Sequence, residues 1–194
     1  MFNKFFRKKS LAASGQPVNT VENSAIAERA AELLATPTAL MQLTPADARV
    51  VVRYMQSHHI EAGDTFIKEG DTRDTSFMVL ILEGEVAVET IAVSRTEPVM
   101  VSVLGPGSLI GEMGLLDGEP RSASCTARSS MLCIILSRQA LEDLMEDHPR
   151  VAAKLMLVVA LRIAERLRSN ADKLKMYVQL TQVMQQEISA MTTN

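Results

Sequence analysis

A chain of 194 residues that is 47% hydrophobic can bury one packed domain and still have helix to spare. Its net charge of −3 hides an asymmetry: Lys4, Arg7, Lys8 and Lys9 make the first ten residues +4, so the remainder carries about −7 (−3 less +4), a balance that argues against gripping DNA along the surface. The two cysteines, Cys125 and Cys133, without CxxC, HExxH or clustered His/Cys spacing, give no disulfide framework and no metal site, and suit a reducing cytosol.

Residues 1–20 read as a tail. Phe2, Phe5 and Phe6 are interleaved with the four basic residues, and small, polar residues follow around Gly15 and Pro17. Such a terminus is usually solvated. Residues 1–10 also suit a weak contact with an anionic membrane face, where each basic residue contributes about 1 kcal/mol, or a docking peptide for a partner. The expected location is therefore cytoplasmic, with a peripheral position at the inner membrane face as the sharper version. The longest purely apolar run, Leu155 to Leu161, has seven residues, far short of the ~20 that span a bilayer, and no apolar segment follows the basic start to make a signal peptide.

Residues 21–58 predict helices. Ala25, Ile26, Ala30, Leu33 and Leu34 recur at helical spacing within Glu22 to Ala35, and Pro37 interrupts them. Thr44-Pro45-Ala46-Asp47 is a helix start, with Thr44 able to cap and Pro45 suited to the first turn. Val50, Val51, Tyr54 and Met55 then form an apolar stripe. Residues 59–137 predict strands. Gly63-Asp64 and Gly70-Asp71 mark turns, Phe77 to Leu82 is an apolar run broken by Gly84, and Val86 and Val88 alternate after it. His58-His59 is an adjacent pair whose side chains point to opposite faces of a strand. Arg95 to Pro98 reads as an exposed loop. Gly105-Pro106-Gly107 reads as a turn; its glycines do not have the spacing of a dinucleotide fingerprint.

The stretch Gly111-Glu-Met-Gly-Leu-Leu-Asp-Gly-Glu-Pro-Arg-Ser-Ala-Ser124 is the most informative in the chain. It places a carboxylate, a short helix start and a lone arginine within a dozen residues. A carboxylate accepts hydrogen bonds from a sugar hydroxyl, a helix start offers backbone N–H groups to an anion, and a guanidinium forks onto phosphate oxygens. A surface salt bridge from Arg121 to Glu119 or Asp117 is the competing, purely structural reading. Glu112, Asp117 and Glu119 have no base, nucleophile or metal partner at catalytic spacing, so an enzyme is not expected.

Ser137 caps a helix through Asp147, and Pro149 opens a helical pattern running to about Ser189. Leu155, Val159, Ile163 and Leu167 fall four apart, and Leu174, Val178, Met184, Ile188 and Met191 continue the stripe less regularly. Roughly forty residues at 1.5 Å each make about 60 Å of helix. That outruns a small domain, so pairing with a second copy through residues 149–190 is expected.

Gly111-Glu112-Met113-Gly114-Leu115 and Arg121-Ser122-Ala123, with the glycine framework before them, resemble the phosphate-binding cassette of the cyclic-nucleotide-binding domain family, over roughly Leu43 to Arg168. The family includes bacterial cyclic AMP receptor proteins, kinase regulatory subunits and gated channels. The resemblance implies an α+β fold: an antiparallel jelly-roll β-barrel, the cyclic-nucleotide-binding β-roll, with short N-terminal helices and a long C-terminal dimerisation helix. The implied layout is a tail at 1–20, a helical bundle at 21–58, the roll and a short helix at 59–148 and the long helix at 149–194.

The implied ligand is cAMP or cGMP, with no metal. Glu112 would take the ribose 2′-hydroxyl, Arg121 the cyclic phosphate and Ser122 a further contact, while N–H groups around Gly114 and Leu115 cradle the anion; Met113 and Ala123 complete the cassette. In the receptors a Thr-Ser pair on the long helix meets the base. A gapless match places Arg166 and Leu167 there, whereas a local pattern match favours Ser169-Asn170, and both alternatives stand.

The receptors carry a helix-turn-helix after that helix, and no counterpart follows here before Asn194. The expectation is thus a stand-alone sensor signalling to an unidentified effector protein. A structural adaptor that binds no nucleotide and a degenerate transcription regulator compete with it. DNA binding is disfavoured because Lys154, Arg162, Arg166, Arg168, Lys173 and Lys175 are mixed with Glu165, Asp172 and Glu187.

Overall fold

The computed structural model describes residues 25–35, 38, 40–91 and 98–192. The tail at 1–20 with its basic start, the first residues of the Glu22 helix, Pro37 and Arg95 to Glu97 lie outside them. The chain divides into two compact units, Met1–Val158 and Val159–Asn194.

Among the described residues, two helices precede the strands of the first unit. Helix α1 (Ala25–Leu34) buries Ala27, Ala30, Ala31 and Leu34, one face at three- and four-residue spacing. Helix α2 (Pro45–Arg53) begins as its sequence predicts. Thr44 accepts from the Asp47 N–H, Asp47 reaches back to the Thr44 N–H at 3.0 Å, and Pro45 occupies the first turn. This reciprocal capping box satisfies two otherwise orphaned donors. Arg49 on α2 forks onto Glu28 on α1 at 2.9 and 3.0 Å.

Among the described residues eight strands follow: β1 (Gln56–Ile60), β2 (Thr65–Ile67), β3 (Phe77–Glu83), β4 (Val86–Ile91), β5 (Pro98–Leu104), β6 (Leu109–Ile110), β7 (Ser124–Ala127) and β8 (Met131–Ser137). They form two four-stranded antiparallel sheets, β1-β8-β3-β6 and β2-β7-β4-β5. Among the described residues the expected roll is two facing sheets, with no hydrogen-bonded pairing that closes them into a barrel. Register pairs Val79 with Ile110 and Ile135 in the first sheet, and Val86 with Leu104 and Ala127 in the second. Strand β1 begins at Gln56, so the sheet starts before residue 59. Pro98, read as loop, is the first residue of β5, a strand position that tolerates its missing N–H.

The core lies between the sheets, where Phe66, Phe77, Val79, Ile81, Val86 and Cys133 meet. Burying each of its large apolar side chains contributes about 1.5–3 kcal/mol. Met78, Leu80 and Leu82, on the other face of β3, are buried as well. This is why Phe77 to Leu82 reads as an unbroken apolar run: the strand is covered on both faces, with α1 and the short helix α3 (Glu112–Asp117) packed against it. Neither cysteine is in a disulfide, both are buried in strands, and burial pushes the Cys133 thiol up to about 12.

Ser137 caps helix α4 (Arg138–Asp147), its hydroxyl accepting from the Ala140 N–H at 3.2 Å. Helix α5 (Pro149–Thr192) runs on for 44 residues. Two polar clamps tie its start and the end of α4 to the N-terminal helices. The Tyr54 hydroxyl donates to Asp147 at 2.8 Å, and Lys154 Nζ donates to Asp47 at 2.6 Å. In the second unit α5 exposes Leu167, Leu174, Tyr177, Met184 and Ile188. Among the described residues no helix is long and apolar enough to cross a membrane.

Candidate functional site

Between β6 and α3 the chain must turn sharply, and Gly111 does this with φ +78°. An L side chain resists that conformation. Space excludes one as well: a Cβ at Gly111 would lie 2.7 Å from Arg121 Nη1, and one at Gly114 3.2 Å from the same atom. The two glycines therefore open the room in which the arginine lies.

Arg121 arrives from the opposite side. Its backbone is fixed to the 70–71 turn: its N–H donates to the Asp71 carbonyl at 3.1 Å and its carbonyl accepts from the Gly70 N–H at 2.8 Å. Its side chain runs beneath α3 and is only 5% exposed. Nε donates to the Asp74 carbonyl at 3.0 Å, Nη1 to Gly111 at 2.7 Å and Nη2 to Phe77 at 2.9 Å, while the guanidinium lies over the Phe77 ring at 4.4 Å. Burial pushes its pKa below the ordinary value, opposed by Cys125, Asp74, Glu112 and Asp71; an arginine still keeps its charge at any physiological pH. This burial and these carbonyl partners overturn the reading of Arg121 as a surface salt bridge to Glu119 or Asp117.

Glu112, the first residue of α3, is 2% exposed and close enough to Arg121 to favour its charged form. The structure thus brings together the two residues that the spacing singled out, with Gly111 and Gly114 packed against the guanidinium. Within α3, Leu115 is buried, whereas Met113 is exposed. Ser122 is exposed, and its hydroxyl lies 4.0 Å from the Met113 sulfur; Ala123 is half-buried. Arg166, Ser169 and Asn170 lie on α5 in the second unit, Arg166 half-buried and the other two exposed.

Three features escaped sequence reasoning. The carbonyls of Asp74 and Phe77 have no side-chain signature. Phe77 reads only as core. Arg138 donates through Nη2 to the Gly114 carbonyl at 3.1 Å and so holds the cassette helix from the side of α4. A signal for it existed: a cation in the first turn of a helix opposes the macrodipole, so its presence there calls for another partner.

Residues 57–148 match the family model for the cyclic nucleotide-binding domain. A CRP-like cAMP-activated global transcriptional regulator of Mycobacterium tuberculosis is 25% identical over 141 residues, covering 73% of this chain and 62% of that protein. A cyclic nucleotide-gated potassium channel of Mesorhizobium japonicum is 32% identical over 121 residues, covering 62% of this chain and 31% of the channel. Among solved structures, a cyclic nucleotide-binding domain from Methylobacillus flagellatus superposes with a TM-score of 0.70 at 28% identity, over 76% of this chain and 82% of that one. The chain spans less than two thirds of the length of both curated relatives.

Proposed function

From a chain that belongs, through residues 57–148, to the cyclic nucleotide-binding domain family, we propose a cytoplasmic sensor of cAMP or cGMP that signals through its long helix. One observation carries this reading: a buried guanidinium and a buried carboxylate, Arg121 and Glu112, converge beneath a glycine-opened helix start. A buried charge of this kind needs a reason, since removing it from water is costly. Arg121 has five N–H donors, and three are committed to carbonyls. The cyclic phosphate takes its place against the rest, joined by N–H groups near Gly114 and Leu115 and by Ser122. Glu112 accepts from the ribose 2′-hydroxyl.

The role is binding rather than turnover, in keeping with relatives named as a regulator and a gated channel. Ligand acts by favouring one arrangement of the cassette over another, and only a difference in affinity between the two can move that equilibrium. The exposed stripe along α5 pairs with a second copy, and an effector protein reads the pair. Residues 1–10 add a weak contact with the membrane face, which vesicle co-sedimentation of the full chain and of a chain lacking them would measure.

Calorimetric titration with cAMP and with cGMP tests the reading and selects the base. A charged hydrogen bond contributes about 1.5–3 kcal/mol, so Arg121→Ala should weaken binding by about 10- to 100-fold, with Arg121→Lys intermediate. Equal affinity in wild type and Arg121→Ala, or no binding by a folded wild type, would leave the structural-adaptor reading in its place.

A further inference from the structure

Beyond Val159 the long helix carries more apolar surface than one partner helix covers. Counted in sevens, Leu167, Leu174, Thr181 and Ile188 share one position, and Asn170, Tyr177 and Met184 share the position three residues on. Together they form the seam of a two-stranded coil, which normally runs between charged flanks. The flank here departs from that rule. Met176, Leu180 and Val183 recur at four- and three-residue spacing on a neighbouring face, at 58%, 56% and 51% exposure. At 3.6 residues per turn this strip lies about 110° around the helix from the seam, and pairing through the seam leaves it in water.

The charges at its ends say what covers it. Lys173 and Glu187 stand seven residues before and after Leu180, two turns away on either side. If two strips packed parallel, Lys173 would meet Lys173 and Glu187 would meet Glu187. If they pack antiparallel about Leu180, Lys173 of each copy meets Glu187 of the other at both ends, and Met176 falls beside Val183. Opposite charges placed symmetrically about an apolar centre make a surface self-complementary under a two-fold axis, as an interface between identical copies requires.

We propose that Met176, Leu180 and Val183 form a second self-association surface, through which two α5 pairs join antiparallel into a four-helix assembly, with Lys173–Glu187 contacts at its ends. It rests on the seam pairing proposed above only for the step from two copies to four. A strictly seam-paired helix has no use for three apolar residues on this face, whereas a four-helix bundle buries a wider arc on each helix.

The test is the mass of the full chain by sedimentation and light scattering over about 1–100 μM protomer, with circular dichroism to confirm that each variant stays helical. Wild type should reach four copies. Leu180→Glu should halve the mass, Leu174→Glu in the seam should also halve it, and the double variant should be a single chain. Lys173→Glu should lower the four-copy fraction, and Lys173→Glu with Glu187→Lys should restore it. A single-chain wild type, an unchanged mass in Leu180→Glu, or no restoration by the charge exchange would overturn the proposal. Loss of mass in Leu180→Glu but not in Leu174→Glu would support the strip and reject the seam pairing, so the two readings fail separately.

Discussion

Gly111 shows how one residue can serve the fold and the proposed ligand site through different forces. A side chain there incurs roughly 1–2 kcal/mol from the left-handed backbone alone. It also meets Arg121 Nη1 at 2.7 Å. A long side chain could normally swing aside, but three carbonyls hold this guanidinium. Gly111→Ala should therefore lose about 1–2 kcal/mol of stability in urea unfolding and lose nucleotide affinity as well, because displacing the arginine moves the group proposed to meet the phosphate. Arg138→Ala separates the two effects. It removes one partly buried bond to the Gly114 carbonyl, about 0.5–1.5 kcal/mol. Since Arg138 acts only by holding α3, its loss should raise the dissociation constant a few fold while leaving the cAMP to cGMP preference unchanged. A changed preference would mean that Arg138 reaches the base itself.

At the scale of elements, Asp47 joins α2 to α5 by capping one and binding the other. Hydrogen bonds from Lys154 first, and from Thr44 second, hold its carboxyl below the usual range. A carboxyl depressed in the folded state adds stability that is fully present above its unfolded value, near 3.8, and is lost as pH falls through the folded value. Asp47→Asn should thus lower the melting temperature at pH 7 and flatten its fall on acidification, and a parallel shift at every pH would contradict the linkage. Solvent around both side chains keeps the effect modest. The caps themselves were legible in the sequence, because Thr44-Pro45 and Ser137 act within four residues of themselves. The strands were legible as far as their apolar pattern went. Pro98 misled because an edge position is a tertiary fact, and the closed barrel misled because strand pattern does not set how sheets join. The site was half legible for the same reason: Arg121 and Glu112 announce themselves by type and spacing, whereas the carbonyls that hold the guanidinium depend on where the backbone passes.

For the whole molecule, the contrast between the two units decides where stability resides. Residues Met1–Val158 enclose a core between two sheets, and stability there belongs to each chain alone. Residues 159–192 of the second unit are helix, and Leu167, Leu174, Leu180 and Ile188 stay exposed on it. A single helix of this kind gains little in water, since most helical stability in proteins comes from packing an apolar face. If a second copy supplies that packing, protection of this segment obeys mass action while that of the core does not. Amide hydrogen exchange at about 1 and 100 μM protomer should therefore slow with concentration across residues 159–192 and stay constant across strands β3 and β8. Leu174→Glu with Leu180→Glu should remove the concentration dependence without altering exchange in the strands. Equal protection of the segment at both concentrations would mean that the helix is stabilised within its own chain, and its exposed leucines would then need an explanation other than self-association.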